Sequence, residues 1–404
     1  MPVTNDQIDQ GDLCQIILDY KRVKSAVLLF LLLLSVISRH TGLHSAISLS
    51  LILLAYAILI STFILNKTAK LRTERASVIL FLLLTVSMFL STIYNLTLDS
   101  LLRFVVFAVF TSINLFIIPQ VIDFEDFLFV FGRITALLVL IGFLPYLGFP
   151  TQTGPVNLSL WGGQLYWYPT LSPITSVFVA VNWLGFLTLT GVISALGEWW
   201  LFKSTTSGVI LVVNIIGLLF TNYRTGWVGL FAAVGILAVY TLLNREAVKL
   251  AVLGGITATM IALAMIFNIL PGPTVLSELS LNHRRGSWIT GVQVLQDQFF
   301  WGHGFGNTAD VLAEHVPPSS PANVHNSYLR AFIGLGIGGG LAYLGLFLMT
   351  MIKSASQIVS KSGVILVMLL VSYFVVQMFN SLSFVGISLH SVVIAITMGY
   401  QIID

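Results

Sequence analysis

Long apolar runs, separated by short polar connections, repeat along almost the whole chain. Each run is close to the roughly 20 residues that a helix needs to cross a bilayer. Twelve runs can be delimited, at residues 23–38, 45–65, 76–94, 101–119, 127–149, 174–196, 205–222, 226–243, 248–270, 328–350, 362–380 and 384–402. The pattern predicts an all-α fold, a polytopic membrane protein of about 12 transmembrane helices in which residues 1–404 form a single integral membrane domain.

Composition agrees with this pattern and removes several other classes of protein. Hydrophobic residues make up 57% of the chain and charged residues 9%, and the mean hydropathy is +0.95. A net charge of +3 is too small to indicate a nucleic-acid partner. The one cysteine, Cys14, supports neither a disulfide framework nor a zinc site. The polar N-terminal segment lacks the features of a signal peptide, so we expect the first apolar run to be retained as a span.

The distribution of lysine and arginine predicts the orientation of the spans. All eight lysines fall in connections of one parity, so the positive-inside rule places that side and both termini in the cytoplasm. Arginines at the opposite, outer face are Arg39, Arg103, Arg224, Arg284, Arg285 and Arg330, whereas Arg133 lies inside a span. Arginine binds phosphate through a planar fork. The outer arginines are therefore expected to meet lipid headgroups, as Arg39 and Arg103 would by snorkelling, or to bind an anionic ligand.

Only two of the predicted outer loops are long, and the first, residues 150–173, is rich in aromatic residues. It contains Trp161, Tyr166 and Trp167, beside the pair Gly162 and Gly163. Aromatic rings at a membrane surface most often form an interfacial belt. The alternative is a stacking platform for sugar rings, which makes these three aromatic residues weak candidates for glycan contact.

The second outer loop, residues 271–327, carries concentrated positive charge in the stretch "LNHRRGSW". Apolar spacing after it predicts a helix with Asn282 as its N-cap. The first-turn amides of that helix, with Arg284 and Arg285, would form an anion-binding site. The glycine-alternating segment "WGHGFGN" is expected to end the helix in a tight turn. A dinucleotide-binding site is not expected there, because the segment lacks the preceding strand that a dinucleotide fingerprint requires.

The same loop holds four of the seven histidines: His283, His303, His315 and His325. Their spacing matches no zinc-binding pattern, so neither a metal nor a cofactor is expected. His325 and Asn326 stand at the outer mouth of the tenth span, where Asn326 is a candidate helix cap. A partly desolvated imidazole near bound phosphates is suited to accept a proton from a hydroxyl. His325 is therefore the candidate catalytic base.

Three segments together resemble the O-antigen ligase and polymerase family of bacterial inner membranes. They are "NYRTGW", containing Arg224; the spacing from Arg284 to Trp288, followed by "GHGFG"; and "HN" at 325–326, followed by Gly336 and Gly339. The match covers roughly residues 205–350. The sequence departs from the family at position 334, where a glycine replaces the usual acidic residue, and Arg285 and His283 are additions to the pattern.

The resemblance implies a metal-independent, inverting glycosyltransferase whose donor is an undecaprenyl-diphosphate-linked glycan. It implies an active site at the periplasmic face of the inner membrane, where Arg224, Arg284 and Arg285 bind the diphosphate, His325 acts as base, and Asn326 and Trp288 support them. The acceptor is lipid A-core in a ligase, or another lipid-linked unit in a polymerase. The histidine-to-glycine spacing favours the ligase. A lipid-linked glycan flippase or secondary transporter is the remaining alternative, although the spans are nearly free of acids and no inverted repeat is visible.

Overall fold

Helices dominate the computed structural model, which describes residues 10–41, 43–65, 73–149, 152–153, 156–158, 160–266, 269–272, 284–315 and 323–403. The helices are α1 (Gln10–Ser38), α2 (Ser45–Leu65), α3 (Arg75–Tyr94), α4 (Leu98–Ser112), α5 (Ile118–Val121), α6 (Phe124–Phe143), α7 (Val181–Phe202), α8 (Thr205–Phe220), α9 (Arg224–Leu242), α10 (Arg245–Ile266), α11 (Arg284–Asp297), α12 (Thr308–His315), α13 (Ser327–Ser356), α14 (Lys361–Phe379) and α15 (Leu389–Ile402). A π-helical turn, Ile113–Ile117, joins α4 to α5, and a 3-10 turn, Leu144–Leu147, extends α6. Strands β1 (Gln152–Thr153) and β2 (Val156–Asn157) form one short antiparallel pair.

Each of the twelve predicted apolar runs overlaps a helix, which confirms the all-helical fold class. Within the described residues, nine helices are long and apolar enough to cross a membrane. Helices α8 and α15 are apolar but shorter. An apolar helix suits the bilayer because it satisfies its backbone hydrogen bonds internally. The total of about 12 spans and their orientation stay predictions.

Two predicted span boundaries were wrong for the same physical reason. The run 174–196 was delimited with a later start allowed, and α7 begins only at Val181; the run 384–402 becomes helical only at Leu389. Most of the non-helical residues are nevertheless buried, and Ile174 and Phe178 are fully enclosed. The backbone N–H of Ile174 donates to the carbonyl of Phe220 (2.9 Å). These segments are apolar because they are buried against other parts of the protein, where irregular backbone is tolerated.

Helices α7 and α14 form the centre of the bundle and are the most buried of the candidate spans. Helix α7 packs against α6 and α8, and α14 packs against α9. Helix α10 is the least buried, and large apolar side chains on α2, α3 and α10 are exposed. These outer surfaces have the composition expected for contact with lipid.

The charge predicted inside a span, Arg133, forms an ion pair within the bundle. Its guanidinium donates from Nη1 and Nη2 to the two carboxylate oxygens of Glu198 on α7 (2.8 and 2.9 Å). The Glu198 side chain is buried. A paired charge of this kind is tolerated within a helix bundle, and it explains Arg133 as a link between α6 and α7. The transporter alternative thereby loses the one intramembrane charge that the sequence offered it.

Helix α13 is broken at Gly336, where the backbone has φ 67° and ψ −173°. The turn that follows α11 pairs with the broken segment through backbone hydrogen bonds. The N–H of Ile337 donates to the carbonyl of Phe299 (2.8 Å), and the N–H of His303 donates to the carbonyl of Ile333 (2.9 Å). The predicted tight turn is confirmed, with Gly302 and Gly304 at positive φ. The break in α13 therefore anchors the large loop to the membrane bundle.

Replacing Gly336 with alanine is expected to destabilise the protein. The conformation of Gly336 is accessible essentially only to glycine and costs other residues about 1–3 kcal/mol, and an added Cβ would collide with the carbonyl of Phe300. We expect a clear decrease in the Tm of the purified protein in detergent. The matched control is Gly338→Ala, because a Cβ at Gly338 would meet only Ser87 Oγ, at 3.7 Å. Equal Tm values for the two variants would contradict this account of the break.

Candidate active site

A pocket of about 440 Å³ lies at the face where α7, α9 and α11 begin and α14 ends. Its lining includes Trp161, Tyr166, Asn222, Tyr223, Arg224, Thr225, Arg284, Phe379 and Asn380. We call it the first pocket. It brings together two of the predicted diphosphate-binding residues, Arg224 and Arg284, and two of the predicted glycan contacts, Trp161 and Tyr166. These residues come from segments that are far apart in the sequence.

Arg224 is positioned by the tight turn between α8 and α9. Asn222 has a positive φ of 55° in this turn, a conformation that asparagine tolerates better than most residues. Arg224 then begins α9, and its guanidinium carbon lies 4.3 Å from the centroid of the Tyr166 ring. This cation–π contact holds the guanidinium at the pocket without neutralising its charge.

The aromatic loop is docked on the same turn. The Asn222 side-chain amide donates to the carbonyl of Gln164 (3.1 Å), and the Trp167 indole N–H donates to the carbonyl of Leu219 (3.3 Å). The Trp167 ring packs edge-on against Phe220, with 5.1 Å between centroids. Trp167 is therefore not among the residues that line the first pocket, unlike Trp161 and Tyr166.

Arg284 is the first residue of α11, so the predicted helix is confirmed at this position. The predicted N-cap Asn282 and the neighbouring His283 lie outside the described residues. The guanidinium carbon of Arg284 lies 5.9 Å from the centroid of the Phe379 ring. Burial lowers the pKa of Arg284, and the positive charge of Arg224 lowers it further. Arg284 is thus partly desolvated and is repelled by the exposed guanidinium of Arg224. An anion bound between the two groups would relieve this repulsion.

The residues next to Arg284 on α11 have other positions. Arg285 is not among the residues that line the first pocket. Trp288 is fully buried, and its indole N–H donates to the carbonyl of Val324 (2.7 Å). Trp288 therefore ties α11 to the segment that carries His325.

His325 is held in an unusual backbone conformation directly before α13, with φ 47°. Its backbone N–H donates to Oδ1 of Asn323 (2.8 Å). Asn326 is the N-cap of α13, as predicted, and its side chain accepts from the N–H of Leu329 (2.9 Å). Burial lowers the pKa of His325 below its ordinary value of 6.5, and the charge of Arg284 lowers it further. The imidazole is therefore neutral at neutral pH, the form that accepts a proton.

Asn380 joins the histidine segment to the first pocket and was missed from the sequence. Its side-chain amide lies 3.2 Å from both Tyr223 Oη and Thr225 Oγ1 and donates to them. Its carbonyl accepts from Ser327 Oγ (2.7 Å). The signal in the sequence was a polar residue at the outer end of an otherwise apolar run.

The other described histidines of the large loop lie elsewhere. His303 Nε2 is 2.8 Å from the carbonyl oxygen of Val294, and His315 Nε2 is 3.7 Å from a carboxylate oxygen of Asp297. Among the residues that the structure describes, no three His, Cys, Asp or Glu side chains come together as a metal site would require. His325 is close enough to Arg284 for that charge to lower its pKa, but it is not among the residues that line the first pocket.

Gly334, where the sequence departs from the family it resembles, is closely surrounded by backbone atoms of other segments. The carbonyl of Gly334 accepts from Ser91 Oγ (2.7 Å) and from the N–H of Gly304 (3.0 Å). A Cβ at Gly334 would lie only 2.8 Å from the Cα of Phe305. The close approach of the glycine turn therefore leaves no room for an acidic side chain at this position.

The fold and the first pocket define a helical membrane protein with two guanidinium groups at a partly buried site. Residues 209–344 match the family model described as O-antigen ligase. The matched segment contains Arg224, Arg284, His325, Gly336 and Gly339, so it confirms the predicted family resemblance over about a third of the chain. The similarity to the O-antigen ligase family is therefore confined to residues 209–344. A comparison with curated proteins gave no match.

Proposed function

We propose that this protein is a glycosyltransferase that moves an undecaprenyl-diphosphate-linked glycan onto an acceptor at the periplasmic face of the bacterial inner membrane. The observation that carries the proposal is the convergence of Arg224 and Arg284 on one pocket. The charge of Arg284 also reaches His325 and lowers its pKa. The family match supports the ligase or polymerase class of activity.

In this proposal the arginine pair binds the diphosphate of the donor. When the bond between the anomeric carbon and the diphosphate oxygen breaks, negative charge develops on the leaving diphosphate. Guanidinium groups already positioned at the pocket stabilise that charge with little reorganisation. Arg224 is fixed by Tyr166, and Arg284 is fixed at the start of α11. The partial positive charge of that helix terminus acts in the same direction.

His325 acts as the general base in the same step. The acceptor hydroxyl oxygen attacks the anomeric carbon as the diphosphate leaves, and the hydroxyl proton passes to the neutral imidazole. Attack from the side opposite the leaving group inverts the anomeric configuration. The aromatic residues Trp161 and Tyr166 line the first pocket, where they are placed to stack on the sugar next to the diphosphate.

The acceptor in our proposal is lipid A-core, as in a ligase. The spacing from His325 to Gly336 and Gly339 supports this choice, because it is the ligase-type spacing of the resemblance. The alternative acceptor is a second lipid-linked glycan unit, which would make the protein a polymerase. Both reactions share the donor and the step described above.

The test is an assay with the purified full chain in lipid nanodiscs. Lipid-linked repeat units are supplied alone, and then with lipid A-core, and the products are separated by length. We expect modified lipid A-core only when both substrates are present. Lengthening of the lipid-linked units alone would show a polymerase. Movement of the donor across liposomes, with no glycan product in either assay, would refute the transferase proposal in favour of a flippase.

A further inference from the structure

A second pocket, of about 700 Å³, opens at the same ends of the helices as the first pocket. Three arginines line it: Arg39 after the end of α1, Arg103 on the first turns of α4, and Arg330 on the first turn of α13. Three of the predicted outer arginines therefore line the second pocket and not the first. Their convergence was not predicted, because Arg39 and Arg103 were expected to contact lipid headgroups individually.

The charges lining the second pocket are unbalanced. Among the described residues of its lining, the one carboxylate is Asp99, which pairs with Arg103 at 2.6 Å. Arg103 also donates to the carbonyl of Gly306 (2.7 Å). Arg330 donates from Nε to the hydroxyl of Thr308 (3.1 Å), a contact that leaves its charge in place. The lining therefore carries a surplus of positive charge suited to an anion that accepts several hydrogen bonds.

The opposite wall of the second pocket supplies hydroxyl groups and an imidazole. It is formed by the non-helical residues 381–388 and the start of α15, which present Ser381, Ser383, Ser388 and His390. His390 is buried, and within the described residues its Nδ1 atom has no hydrogen-bond partner. Irregular backbone at this depth of a membrane protein is expected where it lines a polar cavity. The break before α15 therefore has a role, since it turns a predicted span into the wall of a binding site.

The two pockets are adjacent, and the His325 segment lies between them. Asn380 lines the first pocket, and the next residue, Ser381, lines the second. Asn323 also lines the second pocket, and its Oδ1 atom accepts both from the backbone N–H of His325 (2.8 Å) and from Ser381 Oγ (2.5 Å). A group bound in the second pocket would therefore lie next to the segment that carries His325.

We propose that the second pocket binds a phosphate group of the membrane-borne acceptor through Arg39, Arg103 and Arg330. The inference rests on the proposed function and adds an acceptor site to it. Arginine suits phosphate because its fork donates two parallel hydrogen bonds to the phosphate oxygens. With donor diphosphate in one pocket and acceptor phosphate in the other, the two substrates would meet at the segment that carries His325, which lies between the pockets.

The first experiment measures phosphate binding without any transfer reaction. The full chain in phosphatidylcholine nanodiscs is titrated with dodecyl phosphate, and bound probe is counted by native mass spectrometry. We expect one probe in each pocket of the wild type, loss of one in Arg39→Gln, and loss of the other in Arg284→Gln. Arg39 is chosen because it is exposed. The control is Arg245→Gln, an exposed arginine that begins α10, just after the end of α9 that lies away from the first pocket. Unchanged probe binding in Arg39→Gln would overturn the proposal.

The second experiment separates acceptor phosphate from a bulk phospholipid headgroup, which has the same chemistry. Transfer is measured with native acceptor and with acceptor treated with phosphatase. We expect Arg39→Gln to raise the KM for native acceptor at least about tenfold, the effect of one lost charged contact, and to leave the donor KM unchanged. With treated acceptor the variant and the wild type are expected to agree.

Three results would count against the acceptor site. An equal loss with native and treated acceptor, or a raised donor KM, would overturn it. A KM that follows the phosphatidylglycerol content of the nanodisc and ignores acceptor phosphate would assign the pocket to bulk lipid. Failure of the wild type to transfer glycan to either acceptor would instead refute the proposed function, and the dodecyl phosphate titration would still decide whether the second pocket binds phosphate.

Discussion

Glycan transfer is expected to be lost when His325 is replaced with alanine, with a decrease in kcat of about a hundredfold or more. The reason is that His325 interacts electrostatically with Arg284, whereas His303 and His315, the other described histidines of the large loop, have contacts elsewhere. Binding of undecaprenyl diphosphate is expected to persist, because Arg224 and Arg284 line the first pocket without His325. The measurements are single-turnover transfer and binding of undecaprenyl diphosphate to the full chain.

The backbone conformation of His325 requires a second variant. With φ at 47°, an alanine at this position adds backbone strain to the loss of the imidazole. Asparagine tolerates this conformation better and carries no basic group, so His325→Asn separates strain from chemistry. We expect both variants to be inactive, with His315→Ala as the matched control of near wild-type activity. An active His325→Asn variant would exclude His325 as the base.

The second large effect is expected for Arg284→Gln, which should reduce transfer by about a hundred- to a thousandfold. This is the usual cost of removing one preorganised group that stabilises developing negative charge. Arg284→Lys keeps the charge and loses the planar fork, so we expect intermediate activity. Arg285→Gln is the comparison on the same helix, because Arg285 is not among the residues that line the first pocket. An equal loss of transfer activity in Arg285→Gln and Arg284→Gln would show that Arg285 also acts at the diphosphate site.

Arg284→Gln is also expected to change the pH dependence of transfer. Burial and the charge of Arg284 both lower the pKa of His325 below 6.5, so the wild-type base is neutral at neutral pH. Activity is therefore expected to be flat through neutral pH and to fall only in acid, as the imidazole is protonated. Removing the Arg284 charge removes one of the two causes, so the acidic limb should move to higher pH in Arg284→Gln. Arg284→Lys should leave it in place.

A pH profile of kcat/KM checks this prediction, with each rate compared with that of the same variant at its plateau. The comparison separates an electrostatic effect on His325 from a general loss of binding, which would scale the profile without moving it. An acidic limb at the same pH in wild type and Arg284→Gln would contradict the electrostatic contact between Arg284 and His325. That result would not bear on diphosphate binding by Arg284, which the transfer measurement tests.

The sequence predicted individual elements well where a single segment determines the outcome. Apolar runs predict helices because each helix satisfies its own backbone hydrogen bonds wherever its neighbours lie. The helix beginning at Arg284 and the Asn326 cap follow from local pattern in the same way. The sequence also predicted Arg224, Arg284 and His325 as one site, because the segments that carry them together resemble the O-antigen ligase and polymerase family.

Tertiary structure decided everything that depends on contact between distant segments. Hydropathy could not distinguish a buried irregular segment from a span, so the segments before α7 and α15 were predicted as helix. It also gave no partner for Arg133, which Glu198 provides from another helix.

The grouping of the outer arginines into two pockets has the same origin. Arg39 and Arg330 are nearly three hundred residues apart in the chain and meet only because α1 ends and α13 begins at one face. Charge and apolarity belong to single residues and can be read along the chain. Convergence of charges is set by how helices pack, which is a property of pairs of distant segments.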